Sequence, residues 1–195
     1  MAASAAVACE DVTRAASATN HQDVSPMTTP HPATVPLDHL MRQCEIRRSR
    51  RRGPGGQHRN KVETAVILEH TPTGVRAEAS ERRSQAENRK VAIQRLRVNL
   101  ALEIRTPLPD GTAPSALWRS RVSHGRLTVN TAHVDFPALL AEALDVLAAH
   151  AMDTQAASRV LRISHSQFVK FLRTEPRAIE AVNRHRVEGD LRPLK

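Results

Sequence analysis

The sequence predicts an α+β fold: a small β-hairpin sheet carrying a glycine-rich loop, packed by one long helix, then a small all-helical module resembling a helix-turn-helix. Three observations predict it. Residues 62–69 and 75–80 read as strands on either side of a Thr71-Pro72-Thr73-Gly74 turn, which makes a hairpin. Ala92 or Ile93, Leu96, Leu100 and Ile104 recur at three- and four-residue intervals, the inward stripe of a helix. After residue 135 the apolar spacing stays helical, with Leu140, Leu144 and Leu147 on one side of the first run. With 195 residues, one ordinary domain plus a small module is expected and a large multidomain enzyme is excluded.

The elements follow in order. Residues 1–36 are rich in Ala, Ser, Thr and Pro and lack periodicity, so they read as a disordered arm. Glu10, Asp11 and Asp23 speak against a mitochondrial transit peptide, which is Arg-rich and acid-poor. A domain over 37–105 opens with a short helix, Leu37–Cys44, and an extended basic segment, Glu45–Arg52. Gly53-Pro54-Gly55-Gly56-Gln57 fits neither helix nor central strand and is a loop. The hairpin comes next, and Ser84 with Glu87 has the spacing of a capping box, opening a helix that runs to about Arg105. Prolines 107, 109 and 114 and Asp110-Gly111 mark 106–135 as a linker with little core of its own. A module over 136–195 begins at an Asp135 cap with Pro137 in the first turn. Helices over Asp153–Leu161, Ser164–Leu172 and Ala178–Val187 complete it, the last ended by Gly189.

Twenty-nine Lys and Arg against twenty Asp and Glu leave a net charge of +9, which points to a polyanionic partner, nucleic acid above all. Residues 42–105 hold sixteen of the basic and seven of the acidic side chains, so the excess is concentrated there. One Trp, three Phe and no Tyr leave almost nothing for stacking on bases, so phosphates and shape must be what is gripped. Cys9 and Cys44 fit neither a disulfide framework nor a zinc site, and the histidines show no metal spacing. No metal or cofactor is expected. The longest apolar stretch, Phe136–Ala149, is broken by Glu142 and Asp145, so no membrane association is expected, and a cytoplasmic monomer is the default.

The Gly55-Gly56-Gln57 loop carries the chemistry. A glutamine amide does not titrate, and the loop holds no carboxylate, so acid–base catalysis is not its task. A glycine pair lets the backbone approach a ligand and present N–H groups to a developing oxyanion or alkoxide. Arg47, Arg48, Arg50, Arg51 and Arg52 before it, with Arg59 and Lys61 after it, would hold it against a phosphate backbone. Such a site positions rather than titrates.

GPGGQHRNKVETAV, then HTPTG, then ERRSQAENR resembles, in order and spacing, the catalytic domain of class I peptide chain release factors and of codon-independent relatives such as ArfB; the resemblance covers residues 42–105. It implies hydrolysis of the peptidyl-tRNA ester in the peptidyl transferase centre of the large ribosomal subunit. Gly55, Gly56 and Gln57 would be catalytic: the Gln57 backbone N–H stabilises the transition state or leaving hydroxyl, its side chain places water, and the glycines supply the geometry. Gln57 would also be the target of a glutamine methyltransferase. The Arg-Ser-Gln element maps to Arg83, Ser84 and Gln85 and the later asparagine to Asn88. A capped helix also explains Ser84, and structural support is favoured over RNA contact for this group. His58 and Asn60 are read as supporting residues, and Arg59 departs from the small apolar residue usual before the asparagine.

Codon-reading release factors are much longer and carry a decoding domain, which this chain does not supply. The Lys- and Arg-rich tail of ArfB-like rescue factors has no close counterpart, because Glu188 and Asp190 interrupt Arg184–Lys195. Ala156, Ala157, Leu161, Ile163, Ser164, Phe168 and Leu172 resemble a helix-turn-helix of the kind ending Fis-like proteins, although such spacing also describes an ordinary three-helix core. Codon-independent release from stalled ribosomes is therefore the expected function. The alternative is a non-catalytic RNA- or DNA-binding protein that reads through the helical module and uses the Gly-Gly-Gln domain as a ribosome anchor.

Overall fold

The computed structural model describes residues 30–49, 64–109 and 111–194. Among these the predicted α+β class holds. A short helix α1 (Leu37–Arg42) leads into strand β1 (Cys44–Ser49), which pairs antiparallel with β2 (Ala65–His70); β2 in turn pairs antiparallel with β3 (Val75–Ala79). The register sets Ile46 opposite Leu68, Ser49 opposite Ala65 and Val66 opposite Ala79.

The β2–β3 turn forms as expected. Thr73 and Gly74 N–H both donate to the His70 carbonyl, and Gly74 takes φ +70°, where a Cβ is disfavoured. The third strand is a finding. Part of the segment read only as extended and basic, and Cys44, the last residue read as helix, join the sheet as an edge strand. Edge pairing is made by main-chain groups and needs no apolar alternation, so exposed Arg47 and Arg48 carry no strand signal.

Helix α2 (Gln85–Glu103) packs on β2 and β3 through buried Ala92, Leu96 and Leu100, the predicted stripe, with Ile93 and Ile104 half-buried. Ser84 caps it, its hydroxyl accepting the Glu87 N–H at 3.4 Å. The side of α2 next to this stripe is buried too. Arg97 is 9% exposed, and its guanidinium donates to the Ala33 carbonyl at 2.8 and 3.2 Å and to the Val134 carbonyl at 3.3 Å.

That arginine straps residues 30–36 to the fold, against the expectation of an arm reaching residue 36. Pro32–Thr34 form a 3-10 turn with Ala33 fully buried, and the His31 ring donates to the Ile104 carbonyl at 3.1 Å while accepting the Ala33 N–H. The anchoring groups lie 64 to 73 residues away in sequence, so local composition cannot reveal them.

The segment read as a linker also contributes to the core. Helix α3 (Ala116–Arg121) is capped by Ser115 and places Trp118 wholly out of solvent, its indole N–H donating to the Leu161 carbonyl at 2.9 Å. Prolines and glycines mark where helices end, but one tryptophan in a short helix buries more than several small residues. A two-residue turn, His124-Gly125, both at positive φ, then joins β4 (Val122–Ser123) to β5 (Arg126–Leu127). Helices α4 (Phe136–Ala149), α5 (Thr154–Val160), α6 (His165–Arg173) and α7 (Pro176–Glu188) follow close to the predicted bounds.

Helix α4 packs on α2, and the hydrophobic cluster runs without a break from Leu68 through Leu100 and Leu140 to Trp118 and Phe168. No helix among the described residues is long and apolar enough to cross a membrane.

Candidate nucleic-acid interface

Residues 50–63, with Arg50, Arg51, Arg52, Gly55, Gly56, Gln57, His58, Arg59, Asn60 and Lys61, lie outside the described residues. The residues on either side of them are well placed. Ser49 and Ala65 are paired across β1 and β2, so the chain leaves and re-enters the sheet at one end, beside the β3 terminus at Ala79 and the start of α2.

Asn88 holds this end together. Its side chain is fully buried, one turn into α2, and makes three hydrogen bonds: its amide donates to the Thr64 carbonyl at 2.7 Å and to the Arg82 carbonyl at 2.9 Å, and its oxygen accepts the Arg82 N–H at 2.8 Å. All four hydrogen-bonding positions of an asparagine cannot readily be met inside a core unless backbone is routed past it. Here the returning strand and the β3–α2 connection both pass it. Asn88 therefore fastens the chain at Thr64, where β2 begins, to the β3–α2 connection at Arg82.

Ser84 caps α2, Gln85 is its first residue and is half-buried, and Arg83 is exposed just before the cap. Arg48 is exposed on β1, opposite Val66. The sequence missed Arg82 as a member of this group. Its backbone is clamped by Asn88 on both sides, and the only signal was its adjacency to the Arg83-Ser84-Gln85 element.

At this end one acid is already paired. Glu81 lies against the Arg95 guanidinium; its own backbone N–H, and then Arg95, hold its carboxyl below the usual range. Toward the far end of the sheet Glu69 pairs with Arg76 at 2.9 Å across the strands, and Glu45 with Arg47 at 3.0 Å, where the hydrogen bond to Arg47 lowers the carboxyl. Among the described residues Arg48, Arg82, Arg83, Arg89 and Lys90 form no ion pair. Uncompensated cations of this kind attract phosphates.

Behind the cationic end the frame is tied down. Asn99 donates to the Arg76 carbonyl at 2.7 Å and Arg95 to the Glu78 carbonyl at 2.8 Å, which fastens β3 to α2. At the far end of the sheet, buried His70 bridges Thr73 Oγ1 at 2.8 Å and Gln43 Oε1 at 3.3 Å, and burial lowers its pKa. Burial pushes the half-buried Cys44 thiol up, away from thiolate chemistry. No group of three or more His, Cys, Asp or Glu that could hold a metal occurs among the described residues.

Residues 36–116, which hold the three-stranded sheet and the helix that backs it, match the RF-1 domain family model. Over 81 residues the chain is 37% identical to the mitochondrial peptide chain release factor 1 of Bos taurus, covering 42% of this chain and 18% of that protein. It is 38% identical over 71 residues to the mitochondrial peptide chain release factor 1-like protein of Rattus norvegicus, 36% of this chain and 19% of that one. It is 54% identical over 48 residues to peptide chain release factor 2 of Acidovorax sp. (strain JS42), 25% of this chain and 13% of that one. The matched stretch spans about a fifth of the length of the first two relatives. No solved structure matches the chain.

Proposed function

We propose that this protein hydrolyses the ester of peptidyl-tRNA in the peptidyl transferase centre of the large ribosomal subunit, without reading a codon, and so frees stalled ribosomes. Water adds across the ester, giving a peptide carboxylic acid and the free ribose hydroxyl of the tRNA. The observation that carries the reading is the Gly55-Gly56-Gln57 motif in the sequence between β1 and β2, two strands whose flanking residues Ser49 and Ala65 are paired, with Asn88 fastening Thr64.

In this reading the Gln57 N–H donates to the charge that develops on oxygen, and the two glycines allow the approach. Arg48, Arg83 and the arginines between Ser49 and Gly53 hold ribosomal or transfer RNA phosphates, while Ser84 and Asn88 keep the frame in register. Positioning of this sort can supply much of a rate, because a bound, oriented water replaces a bimolecular encounter. A glutamine methyltransferase modifies Gln57, and the protein acts as a cytoplasmic monomer. The helices after residue 135 supply contacts to the ribosome, tRNA or a partner.

The test is peptide release from ribosomes whose A sites are empty, filled by a sense codon or filled by a stop codon. Release on all three, lost in Gly56→Ala, is the expected result. Release only on stop codons would make the protein a termination factor. Undiminished release by Gly56→Ala would overturn loop-based catalysis, and no release at all together with binding would leave the non-catalytic anchor.

A further inference from the structure

Outside the release-factor-like stretch, the β4–β5 hairpin and α6 enclose an open groove of about 660 Å³. Its walls carry Ser123, Arg126 and Thr128 from the hairpin side and Gln167, Lys170 and Thr174 from the helix side. No carboxylate lines it, and among the described residues neither Arg126 nor Lys170 forms an ion pair. Residues 137–195 alone carry nine basic and seven acidic side chains, a weak footprint. The groove is where the fold sets one of those cations, Lys170, on a shared lining with an arginine from a different element.

The two walls of the groove are tied to each other and to the core. The Ser164 N–H at the start of α6 donates to the Gly125 carbonyl at the hairpin tip, 3.3 Å away. Phe171, which forms part of the groove, is held edge-on against Trp118 and Phe136 at 5.9 and 5.8 Å between ring centres. A cavity preformed in this way orders little on binding.

We propose that this groove is a second RNA-binding surface, taking one RNA strand by its phosphates and ribose hydroxyls. A cation on each wall can hold a phosphate of the same strand. The Thr174 hydroxyl already donates to the Phe171 carbonyl and the Ser123 hydroxyl is bonded to His124, which leaves the Thr128 hydroxyl and the Gln167 amide, groups that both donate and accept and therefore suit the 2′-hydroxyl that DNA lacks. Phe171 is nearly buried and offers no stacking face, so bases go unread.

The experiment is fluorescence anisotropy of the full chain with labelled oligouridine, the matching deoxy-oligomer and duplex DNA, over a series of salt concentrations. Arg126→Ala/Lys170→Ala should weaken oligouridine binding about tenfold and lower the salt slope by about 1.4, from two lost phosphate contacts on a single strand. Arg126→Gln/Lys170→Gln, which keeps much of the apolar stems, should do the same, and neither pair should shift the melting curve because both side chains are exposed. Gln167→Ala should narrow the preference for RNA over the deoxy-oligomer. Binding by the double variants within twofold of wild type overturns the proposal, as does tighter binding of duplex DNA than of oligouridine. Gly56→Ala should bind oligouridine through the groove undiminished, so loss of hydrolysis and loss of groove binding are separately visible.

Discussion

Replacing Asn88 by alanine removes three hydrogen bonds at once from a fully buried site. At roughly 1 kcal/mol net each, and with water able to reach the exposed Arg82 backbone in compensation, the loss comes to about 2 kcal/mol. For a chain of this size that is a fall in Tm of about 4–8 °C. Thermal unfolding by circular dichroism measures it. Peptide release measured well below the melting transition should fall by more than the unfolded fraction explains, because Thr64 loses its tether at the end of the Gly-Gly-Gln segment and small misplacements cost large factors in rate. Asn88→Asp provides the control of shape. It keeps the acceptor for the Arg82 N–H but points a carboxylate at two carbonyls, so its folded pKa must rise above the ordinary carboxylate value. A carboxyl with a raised folded pKa contributes most at low pH and loses that contribution as pH climbs through the folded pKa, so this variant should recover stability on acidification. An Asn88→Ala protein melting within 2 °C of wild type would sink the energetic reasoning. One that melts lower yet releases peptide at the wild-type rate would reduce Asn88 to a scaffold fastener.

Three further outcomes are expected. Trp118→Phe should cost about 1–3 kcal/mol in urea unfolding, since the Leu161 carbonyl is left without its indole donor, and Trp118→Ala about 3–5 kcal/mol. His31 and His70 are both lowered from 6.5 by burial, so the folded state binds fewer protons than the unfolded chain just below that value. Stability should therefore hold above pH 6.5 and decline as pH falls below it, and His31→Gln/His70→Gln should flatten that decline in chemical denaturation measured across pH. Asp145, raised from 3.8 mainly by burial against the pull of His31, Thr106 and Arg105, acts with the opposite sign, so Asp145→Asn should steepen the same decline.

How much of this was legible beforehand differs by element. The β2–β3 hairpin announced itself through its turn, because Thr-Pro-Thr-Gly between β-branched runs is chemistry local to a few residues. The Ser84 cap and the Ala92-Leu96-Leu100 face of α2 were likewise local, as was the Gly-Gly-Gln segment with its flanking arginines. Strand β1 was not, because an edge strand made of charged residues is held by its neighbour's backbone and has no pattern of its own. Nor was Trp118, whose indole acceptor, the Leu161 carbonyl, and ring partner, Phe171, sit some forty to fifty residues downstream.

By itself the sequence determined the chemistry that could be present: an untitratable Gly-Gly-Gln loop, a concentrated positive charge, too few aromatics to read bases, and helices and a hairpin in their order. Tertiary structure decided which groups meet. It set Asn88 of α2 against Thr64 and Arg82, paired Glu81 with Arg95 so that the cations beside it stay uncompensated, strapped residues 30–36 through Arg97, and brought Arg126 and Lys170 to the lining of one groove. The physical reason is range. Turns, caps and amphipathic faces are settled by interactions over a few residues, whereas buried hydrogen bonds and charge pairing depend on which surfaces the core presses together, and that is known only once the chain has closed on itself.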